Sequence, residues 1–318
     1  MAETPKVLVT GGAGFIGSNL ADELIRRGAL VTIVDDLSTG FRENLEEISG
    51  SFDFVEGDIN DGDLIRSVIE GIDTVYHQAA LPSVPRSVED PAETHRVCVD
   101  GTFSLLVQAR DAGVRRFIYA ASSSAYGDQP TLPKVETMRP DPLSPYAVAK
   151  LAGESYCRAF HNVYGLETIS LRYFNVFGPR QNPSSMYSGV ISRFIDSLAK
   201  GERPIIFGDG LQSRDFTYID NVVDANIKAA EATSGIGEVM NAANGERVTL
   251  LELLDVLKEI MNLEDVEPDF QPPRKGDVKH SQADNRRAVE CLGYKKLVGL
   301  EEGLKRTLEW WRSSRFAA

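Results

Sequence analysis

The segment Val7-Leu-Val-Thr-Gly11-Gly-Ala-Gly14-Phe-Ile-Gly17 is the strongest indication of the fold of this chain. It is typical of a buried strand that runs into a glycine turn and then a helix, with backbone N–H groups pointing at a pyrophosphate. Gly11 permits the tight turn, Gly14 lets backbone approach the phosphates, and Gly17 lets the helix pack closely on the strand. The same pattern also occurs at ordinary strand–turn–helix corners, so the residues that follow it must support the interpretation.

The next strand supplies that support. Residues 30–34 form an apolar strand that ends in Asp35, about 20 residues after the glycine turn, where an acid contacts the adenosine ribose. A carboxylate there repels a 2′-phosphate, so the sequence favours NAD over NADP. Asp36 is the alternative for this contact, because one sequence does not place a strand end to the residue. After a third strand, Asp58 and Ile59 are predicted at the adenine edge, with loop capping as the alternative role of Asp58.

The composition excludes several classes of protein. With 318 residues and a net charge of −13, the chain can bury a large core but offers no basic face to nucleic acid. The three cysteines (Cys98, Cys157 and Cys291) are widely spaced, which indicates neither a disulfide framework nor a metal site. The sequence shows no secretory leader and no apolar run long enough for a bilayer, so no membrane association and a cytoplasmic location are expected.

The first half of the chain alternates short apolar strands with helical stretches at β-α-β spacing. Strands that are apolar on both faces are typical of a parallel sheet covered by helices on both sides. We expect strands at 6–10, 30–35, 52–56, 73–77, 115–120 and 166–172, and helices at 16–27, 63–70, 102–112 and 146–164. The predicted fold class is α/β, a Rossmann-type doubly wound parallel sheet.

After Phe174 the pattern changes to short strands and loops rich in Gly and Pro, which predicts a smaller mixed α/β lobe. Two later segments, 250–261 and 300–312, have amphipathic helical spacing, and Trp310 and Trp311 are expected to dock the second.

A helix and an apolar strand within 219–243 are expected to return to the first sheet. We therefore expect the cofactor domain to comprise 1–174 plus about 218–243, and the smaller C-terminal lobe to comprise about 175–217 plus 244–318.

Three side chains near the fifth and sixth strands form the predicted catalytic group. Ser122 ends a strand at the carboxyl edge of the sheet, where doubly wound folds bind ligands. Tyr146 and Lys150 lie one helical turn apart, so a phenol and an ammonium share a helix face. A serine run after a strand is often only a turn, but the downstream Tyr146 and Lys150 favour catalysis.

The chemistry of this group follows from its phenol. An isolated tyrosine titrates at about 10 and is a poor base at neutral pH. The Lys150 ammonium and a positive nicotinamide ring are expected to stabilise the Tyr146 phenolate. Tyr146 is then expected to take a proton from a sugar hydroxyl while hydride leaves the same carbon for NAD⁺. Ser122 is expected to hydrogen-bond that hydroxyl and to relay the proton.

Several segments resemble those of the extended short-chain dehydrogenases/reductases, specifically the UDP-galactose 4-epimerase family. They are Asp35-Asp-Leu-Ser-Thr-Gly40, His77-Gln-Ala-Ala80, Tyr146 to Lys150, Leu171-Arg-Tyr-Phe-Asn175-Val-Phe-Gly-Pro179 and Ser213-Arg-Asp-Phe-Thr217. The resemblance covers essentially the whole chain and implies a two-lobed fold, in which the smaller mixed α/β C-terminal lobe is the substrate-binding lobe that recognises the nucleotide. It implies tightly held NAD, hydride removal from C4 of a UDP-sugar, rotation of the 4-keto intermediate, and return of the hydride to its opposite face.

The resemblance also implies roles for individual residues. Further cofactor contacts are predicted for Phe15, Ile16, Ser38, Thr39, Gly40, Ala79, Ala80 and Tyr173, and His77 is expected to pack beside NAD without a catalytic role. The diphosphate is expected at Asn175, Arg214 and Arg274, and the uridine at Asp277 and Val190. Phe207 is either an apolar wall for uracil or a core residue.

One position departs from the family pattern. Where the family has Asn in an Asn-x-x-Gly-Thr helix start, this chain has Cys98-Val-Asp-Gly101-Thr102. A thiol is too weak a hydrogen-bonding group to replace the amide fully, so the proton relay is expected to differ. Because Tyr146 and Lys150 are intact, we still expect activity.

Ser281 bears on the choice of sugar. It aligns with a pocket-wall position that is a large tyrosine in epimerases restricted to non-acetylated sugars, and a serine leaves room for a 2-acetamido group. Ser83, Ser123 and Ser124 are predicted to hydrogen-bond the sugar or its amide. The segments 77–87, 178–187 and 280–284 also resemble epimerases acting on UDP-N-acetylglucosamine (UDP-GlcNAc) and UDP-N-acetylgalactosamine (UDP-GalNAc).

The residues after Ser122 distinguish between other functions that occur on this fold. Dehydratases need an Asp-Glu pair there and UDP-glucuronate decarboxylases a Glu, whereas this chain has Ser123 and Ser124. A UDP-glucose 4-epimerase restricted to non-acetylated sugars and a UDP-glucuronate 4-epimerase stay open, since contacts to a carboxylate are not legible here. A non-catalytic NAD-sensing protein is disfavoured, because it would be expected to lose Tyr146 or Lys150.

The expected partners are a UDP-sugar and a second copy of the chain. Helices near 93–112 and 147–163 resemble the pair that forms a four-helix dimer interface in this family. Internal packing of their apolar residues is the alternative.

Overall fold

The computed structural model describes residues 4–182, 189–264, 266–273 and 278–314. Its strands are β1 (Lys6–Thr10), β2 (Leu30–Asp35), β3 (Asp53–Glu56), β4 (Thr74–His77), β5 (Arg116–Ser122), β6 (Glu167–Tyr173), β7 (Val176–Phe177), β8 (Ile205–Phe207), β9 (Ser213–Arg214), β10 (Thr217–Tyr218), β11 (Val239–Ala242), β12 (Val248–Thr249) and β13 (Asp269–Gln271). Each predicted strand is present, with boundaries within two residues of the expected ones.

The α-helices follow the predicted positions within one residue wherever the sequence specified them. They are α1 (Phe15–Arg26), α2 (Arg42–Glu46), α3 (Gly62–Ile69), α4 (Val84–Glu89), α5 (Pro91–His95), α6 (Gly101–Asp111), α7 (Pro145–Tyr164), α8 (Val190–Ala199), α9 (Ile219–Glu231), α10 (Leu250–Met261), α11 (Arg286–Leu292) and α12 (Leu300–Ser313). A π-helical turn, Arg96–Asp100, joins α5 to α6.

Seven strands form one parallel sheet in the order β11-β6-β5-β4-β1-β2-β3. Alternate residues of each strand enter separate cores on the two faces: Val7 and Val9 pack into one, and Leu8 packs into the other. Burial on both faces explains why these strands are almost continuously apolar. The confirmed fold class is therefore a doubly wound α/β sheet with flanking helices.

The position of β1 decides where a ligand can bind. The chain winds outward from β1 to β2 and β3 on one side, and to β4, β5 and β6 on the other. At such a switch point the loops after β1 and β4 diverge and leave a crevice at the carboxyl edge of the sheet. The glycine turn opens into this crevice.

Helix α7 has the local signals that place Tyr146 in its first turn. The Ser144 hydroxyl accepts a hydrogen bond from Ala147 N, and Pro145 occupies the first turn, where its missing N–H costs nothing. Gly165 ends the helix in the left-handed conformation, with φ of 75°. Tyr146 therefore faces the edge where β5 and β6 end.

The remaining elements complete the fold. As expected, α9 and β11 return to the sheet, where β11 pairs in parallel with β6. The other short strands pair as β10 with β7, β12 with β9, and β13 with β8. Trp311 is buried and docks α12 against the core, while Trp310 Nε1 donates to Glu47. None of the helices described is both long and apolar enough to cross a membrane.

Candidate active site

In the turn after β1 and the start of α1, the positions of Gly11 and Gly17 have room only for glycine. Gly11 has a φ of +70°, and a Cβ atom on it would lie 2.6 Å from Ala79 N. A Cβ on Gly17 would lie 2.1 Å from the Gly11 carbonyl oxygen. The glycines thus let α1 and the loop after β4 approach the turn, as the sequence predicts.

Asp35 stands at the end of β2 beside this turn. Its carboxylate accepts hydrogen bonds from Ala13 N at 2.9 Å and Leu37 N at 2.8 Å. Burial raises the pKa of Asp35, although these backbone donors oppose the shift. Gly40 lies directly behind the carboxylate, since a Cβ there would be 2.8 Å from Asp35 Oδ1.

A first cavity extends from this acid along the carboxyl edge of the sheet. Among the predicted cofactor residues, the cavity is lined by Gly11, Gly14, Phe15, Ile16, Gly17, Asp35, Asp36, Ser38, Thr39, Asp58, Ile59, Ala79, Ala80, Tyr146, Lys150 and Tyr173. Of the predicted cofactor set, Gly40 alone is absent from the lining, because it supports Asp35 from behind. A glycine turn, a helix N-terminus and an acid along one crevice fit an adenine dinucleotide.

The Asp58 carboxylate has protein partners of its own. Arg96 Nη1 donates to it at 2.6 Å and Asn60 N at 2.8 Å. Burial alone would raise the pKa of Asp58, but these donors outweigh it and lower the pKa. Asp58 thus caps its loop and also lines the cavity, so both predicted roles are compatible with the geometry.

A second cavity meets the first at the predicted catalytic residues Ser122 and Tyr146. It is lined by Val84, Pro85, Ser122, Ser123, Ser124, Tyr126, Gly127, Lys134, Tyr146, Tyr173, Phe174, Asn175, Arg214, Val278 and Ser281. Ser122, Tyr146, Tyr173 and Asn175 line both cavities. A cofactor in the first and a substrate in the second would therefore meet beside Ser122 and Tyr146.

Tyr146 and Ser122 interact at this junction. Burial raises the pKa of the Tyr146 phenol, with a contribution from Cys98, and a hydrogen bond with Ser122 opposes the rise. Ser122 Oγ also accepts from Ser124 N at 3.2 Å and Ser124 Oγ at 2.8 Å. With both lone pairs engaged, the Ser122 hydroxyl keeps its proton for donation to Tyr146.

Lys150 lies on the same helix, buried below the junction. Its Nζ donates to the Ala120 carbonyl oxygen at 2.9 Å and lies 5.1 Å from the centroid of the Tyr119 ring. Burial lowers the pKa of Lys150, while Cys98, Cys157 and Glu154 raise it. The ammonium is thus anchored to β5 while it lines the first cavity.

Cys98 is buried in the π-helical turn near this group. Its Sγ accepts a hydrogen bond from Leu81 N at 3.4 Å, and its carbonyl oxygen accepts from Thr102 Oγ1 at 2.8 Å. The thiol therefore holds the loop after β4 through a single backbone hydrogen bond.

His77 lies at the end of β4 but does not line either cavity. Its Nδ1 is 2.7 Å from Thr10 Oγ1, and its Nε2 is 2.9 Å from Thr102 Oγ1. Because Thr102 Oγ1 donates to Cys98 O, Nε2 carries the proton and Nδ1 accepts from Thr10. Burial, and then Lys150, lower the pKa of His77 to about 3. The imidazole is therefore neutral, and its two hydrogen bonds connect the end of β4 to β1 and α6.

The predicted substrate residues divide into three groups. Ser123, Ser124, Asn175, Arg214 and Ser281 line the second cavity, and Asn175 Nδ2 donates to Ser281 Oγ at 3.3 Å. Ser83, Val190 and Phe207 line neither cavity: Ser83 caps α4, Val190 begins α8, and the Phe207 ring packs under the Arg193 guanidinium. Arg274 and Asp277 lie outside the described residues.

The cavities also contain residues that sequence reasoning missed. Gln78 lines the first and Lys134 the second. Gln78 Oε1 accepts from the Tyr173 hydroxyl at 3.2 Å. Its place between His77 and Ala79 was a usable signal, whereas Lys134 lies in a loop with no local pattern that marks it.

Comparison with known proteins agrees with this geometry. The model of the NAD dependent epimerase/dehydratase family matches residues 7–243. A UDP-glucose 4-epimerase of Mycolicibacterium smegmatis is 42% identical over 97% of this chain and 99% of its own length. A UDP-glucuronate 4-epimerase of Thermodesulfobacterium geofontis is 34% identical over 95% of each chain.

A solved structure is similarly close. The UDP-N-acetylglucosamine 4-epimerase of Methanobrevibacter ruminantium, in complex with UDP-N-acetylmuramic acid, is 38% identical with a TM-score of 0.93. The match covers 98% of this chain and 99% of that one. With the glycine turn, the terminal acid of β2 and the Tyr–Lys helix in place, this chain belongs to the NAD dependent epimerase/dehydratase family.

Proposed function

We propose that this protein is a UDP-sugar 4-epimerase that interconverts UDP-GlcNAc and UDP-GalNAc, and also UDP-glucose and UDP-galactose. NAD would be held in the first cavity by the glycine turn and Asp35, and it would supply the chemistry that removes a hydride from C4 of the sugar and returns it to the opposite face. The observation that supports this most directly is that Ser122 and Tyr146 line both cavities.

The residues at the junction handle the proton. The Tyr146 phenolate takes the proton of the C4 hydroxyl and gives it back when the ketone is reduced. Ser122 donates a hydrogen bond to the phenolate oxygen, which favours the charged form. Lys150, anchored on Ala120 O, supplies positive charge from below.

The substrate lies in the second cavity in this proposal. Arg214 and Asn175 hold the diphosphate, which gives an acidic protein the local positive charge that an anionic ligand requires. Arg274 and Asp277 are proposed toward the uridine, and Ser123 and Ser124 toward the sugar. Val190 and Phe207 are also proposed toward the uridine and Ser83 toward the sugar, but these three line neither cavity, so they would contact the substrate only where it extends beyond the second cavity. Ser281 lines the cavity with a small side chain, which leaves space for a 2-acetamido group.

Product analysis tests the proposal. Purified protein receives UDP-GlcNAc, UDP-glucose or UDP-glucuronate separately, with and without NAD⁺, and products are resolved by NMR or anion-exchange chromatography. Fastest interconversion of the acetylated pair is the expected result. Turnover of UDP-glucose or UDP-glucuronate alone would favour the other epimerases, and bound NAD without turnover of any sugar would favour a sensing protein.

A substitution at Ser281 tests the specificity separately. Ser281→Tyr fills the wall of the second cavity, so we expect turnover of UDP-GlcNAc to be abolished while UDP-glucose is still converted. Ser281→Ala keeps the space and serves as the control. Equal loss of both activities in Ser281→Tyr would contradict the assignment.

The domain organisation and assembly are part of the proposal. We assign residues 1–174 and about 218–243 to the cofactor domain, and about 175–217 and 244–318 to the substrate lobe. The pairing of β11 with β6 supports the return of the second segment. A homodimer is proposed through α6 and α7, which carry the exposed apolar side chains of Phe103, Tyr156, Val163 and Tyr164.

A further inference from the structure

The second cavity contains a lysine that the proposed mechanism does not use. Lys134 is 1% exposed and lines this cavity together with Tyr146 and Ser281. Its Nζ donates to the Gln129 carbonyl oxygen. Within the described ranges no carboxylate pairs with it, and Asp128 is the acid whose charge acts on it from a distance.

The backbone of Lys134 is fixed beside the segment that contains Ser281. Lys134 N donates to Gln282 O at 2.7 Å, and Asp284 N donates to Lys134 O at 2.9 Å. Lys134 stands opposite Ala283 in a parallel bridge. Ser281, two residues before Ala283, lies on the same side of an extended chain, so both Lys134 and Ser281 reach the cavity.

The chemistry of a buried ammonium limits what this lysine can do. It has three donors, and the Gln129 carbonyl oxygen occupies one of them. A buried charge is costly unless strong acceptors surround it. A sugar hydroxyl is a weak acceptor for a cation, whereas a carbonyl or carboxylate oxygen is a strong one.

We propose that Lys134 is a specificity-determining residue that donates a hydrogen bond to a carbonyl-type oxygen on a substituent of the substrate sugar. The 2-acetamido carbonyl of UDP-GlcNAc is the expected acceptor, because Ser281 leaves its space in the same cavity. The carboxylate of UDP-glucuronate offers the same chemistry at another carbon. This inference rests on the proposed function for the identity of the sugar nucleotide.

A purely structural role for Lys134 makes a different prediction. Gln129 Nε2 donates to Tyr126 O and Arg139 O, so the Lys134–Gln129 contact also holds the 127–134 loop. Loss of that support would distort the cavity for every UDP-sugar. A selective effect on one class of substrate therefore separates recognition from support.

The experiment compares Lys134→Met and Lys134→Gln with the parent protein and with Lys305→Met. Lys305 is on α12 and pairs with Glu301 at the surface, so its variant controls for loss of one charge. For each protein, kcat/KM and calorimetric Kd are measured with UDP-glucose, UDP-GlcNAc and UDP-glucuronate. Thermal melts confirm folding, and Lys134→Gln replaces Lys134→Met if the latter does not fold.

We expect Lys134→Met to lower kcat/KM for UDP-GlcNAc by roughly 10- to 100-fold, because the variant loses a hydrogen bond from a charged donor. For UDP-glucose we expect a fall of less than threefold. Lys134→Gln, which still has an N–H donor, should lie between. A selective loss for UDP-glucuronate would assign the carboxylate as the acceptor. Equal losses for all three sugars, or no loss, would overturn the inference.

The binding data separate this inference from the proposed function. If the parent protein binds UDP-GlcNAc without interconverting it, the proposed function fails. The binding data still test Lys134 in that case. If Lys134→Met raises the Kd for UDP-GlcNAc more than the Kd for UDP-glucose, relative to the parent protein, Lys134 recognises the substituent.

Discussion

Ser122 shows how much a single hydroxyl can do at the edge of a sheet. It ends β5, its Oγ accepts from Ser124 N and Oγ, and its remaining proton is directed at Tyr146. The local 3₁₀ turn, Ser123–Tyr126, thus orients a side chain that the proposed chemistry requires. A serine run that resembles an ordinary turn is here both a turn and part of the lining of the cavities.

The loss of this hydroxyl should be visible in the pH dependence of the reaction. A hydrogen bond to the phenolate lowers the pKa of Tyr146, so its removal raises that pKa. We expect Ser122→Ala to reduce kcat by roughly 10²- to 10⁴-fold. We also expect the rising limb of log(kcat/KM) to move to higher pH.

Rate measurements across the alkaline range test this prediction. Ser155→Ala is the control, because it removes an exposed hydroxyl from the helix that carries Tyr146 without touching Ser122. An unchanged profile in Ser122→Ala would contradict the role assigned to Ser122.

At the scale of elements, the β1–turn–α1 unit depends on close approach of backbone atoms. The Gly17 position is the tightest, with a Cβ predicted 2.1 Å from Gly11 O. Gly17→Ala should displace α1 from the turn, weaken NAD binding by at least tenfold and lower the melting temperature.

Isothermal titration with NAD⁺ and thermal melts measure both effects. Gly299→Ala, where a Cβ meets nothing within 4 Å, should leave both values unchanged. Wild-type NAD affinity in Gly17→Ala would contradict the tight-packing argument.

His77 links three elements, since its ring nitrogens contact Thr10 on β1 and Thr102 on α6 while His77 itself ends β4. Burial lowers its pKa from 6.5 to about 3. Between these values the unfolded chain binds a proton that the folded protein excludes. The contribution of neutral His77 to the free energy of unfolding is therefore complete above pH 6.5. As the pH drops from 6.5 toward 3, the free energy of unfolding falls by up to about 1.4 kcal/mol per pH unit.

Urea unfolding at a series of pH values tests this slope. His77→Gln should flatten the fall between pH 6.5 and 4, while the surface variant His95→Gln should retain it. A variant profile that matches the wild-type profile would show that His77 does not contribute.

At the scale of the whole molecule, the proposed dimer depends on an aromatic cluster on α6 and α7. The Phe103 and Tyr156 rings are 5.1 Å apart, and those of Phe160 and Tyr164 are 5.0 Å apart. Val163 lies seven residues after Tyr156, on the same helix face, and is 71% exposed. An apolar patch of this kind is typical of an interface.

We expect sedimentation of the wild-type protein to give a dimer at micromolar concentration. Val163→Glu places a charge in the patch and should give a monomer. Val289→Glu, on α11 and 50% exposed, should remain dimeric. A wild-type protein that is monomeric at every concentration would dismiss this interface.

Much of the fold could be predicted because its signals are local. The strands are runs of alternately directed apolar residues, and α7 begins at a serine cap followed by proline. Backbone preferences and burial act within a few residues, so they are legible in the sequence. The glycine turn and Asp35 were predictable for the same reason, since their spacing is fixed by one β-α-β unit.

The tertiary structure decided what depends on contacts between distant residues. It brought Lys134 beside Ser281, set His77 between Thr10 and Thr102, and placed Ser83, Val190 and Phe207 outside both cavities. Loops such as 127–134 have no periodic pattern of apolar residues from which their position could be predicted. The sequence by itself determined the sheet, the cofactor turn and the Tyr–Lys pair, whereas the meeting of two cavities at Ser122 and Tyr146 was decided by packing, because long-range contacts leave no local pattern.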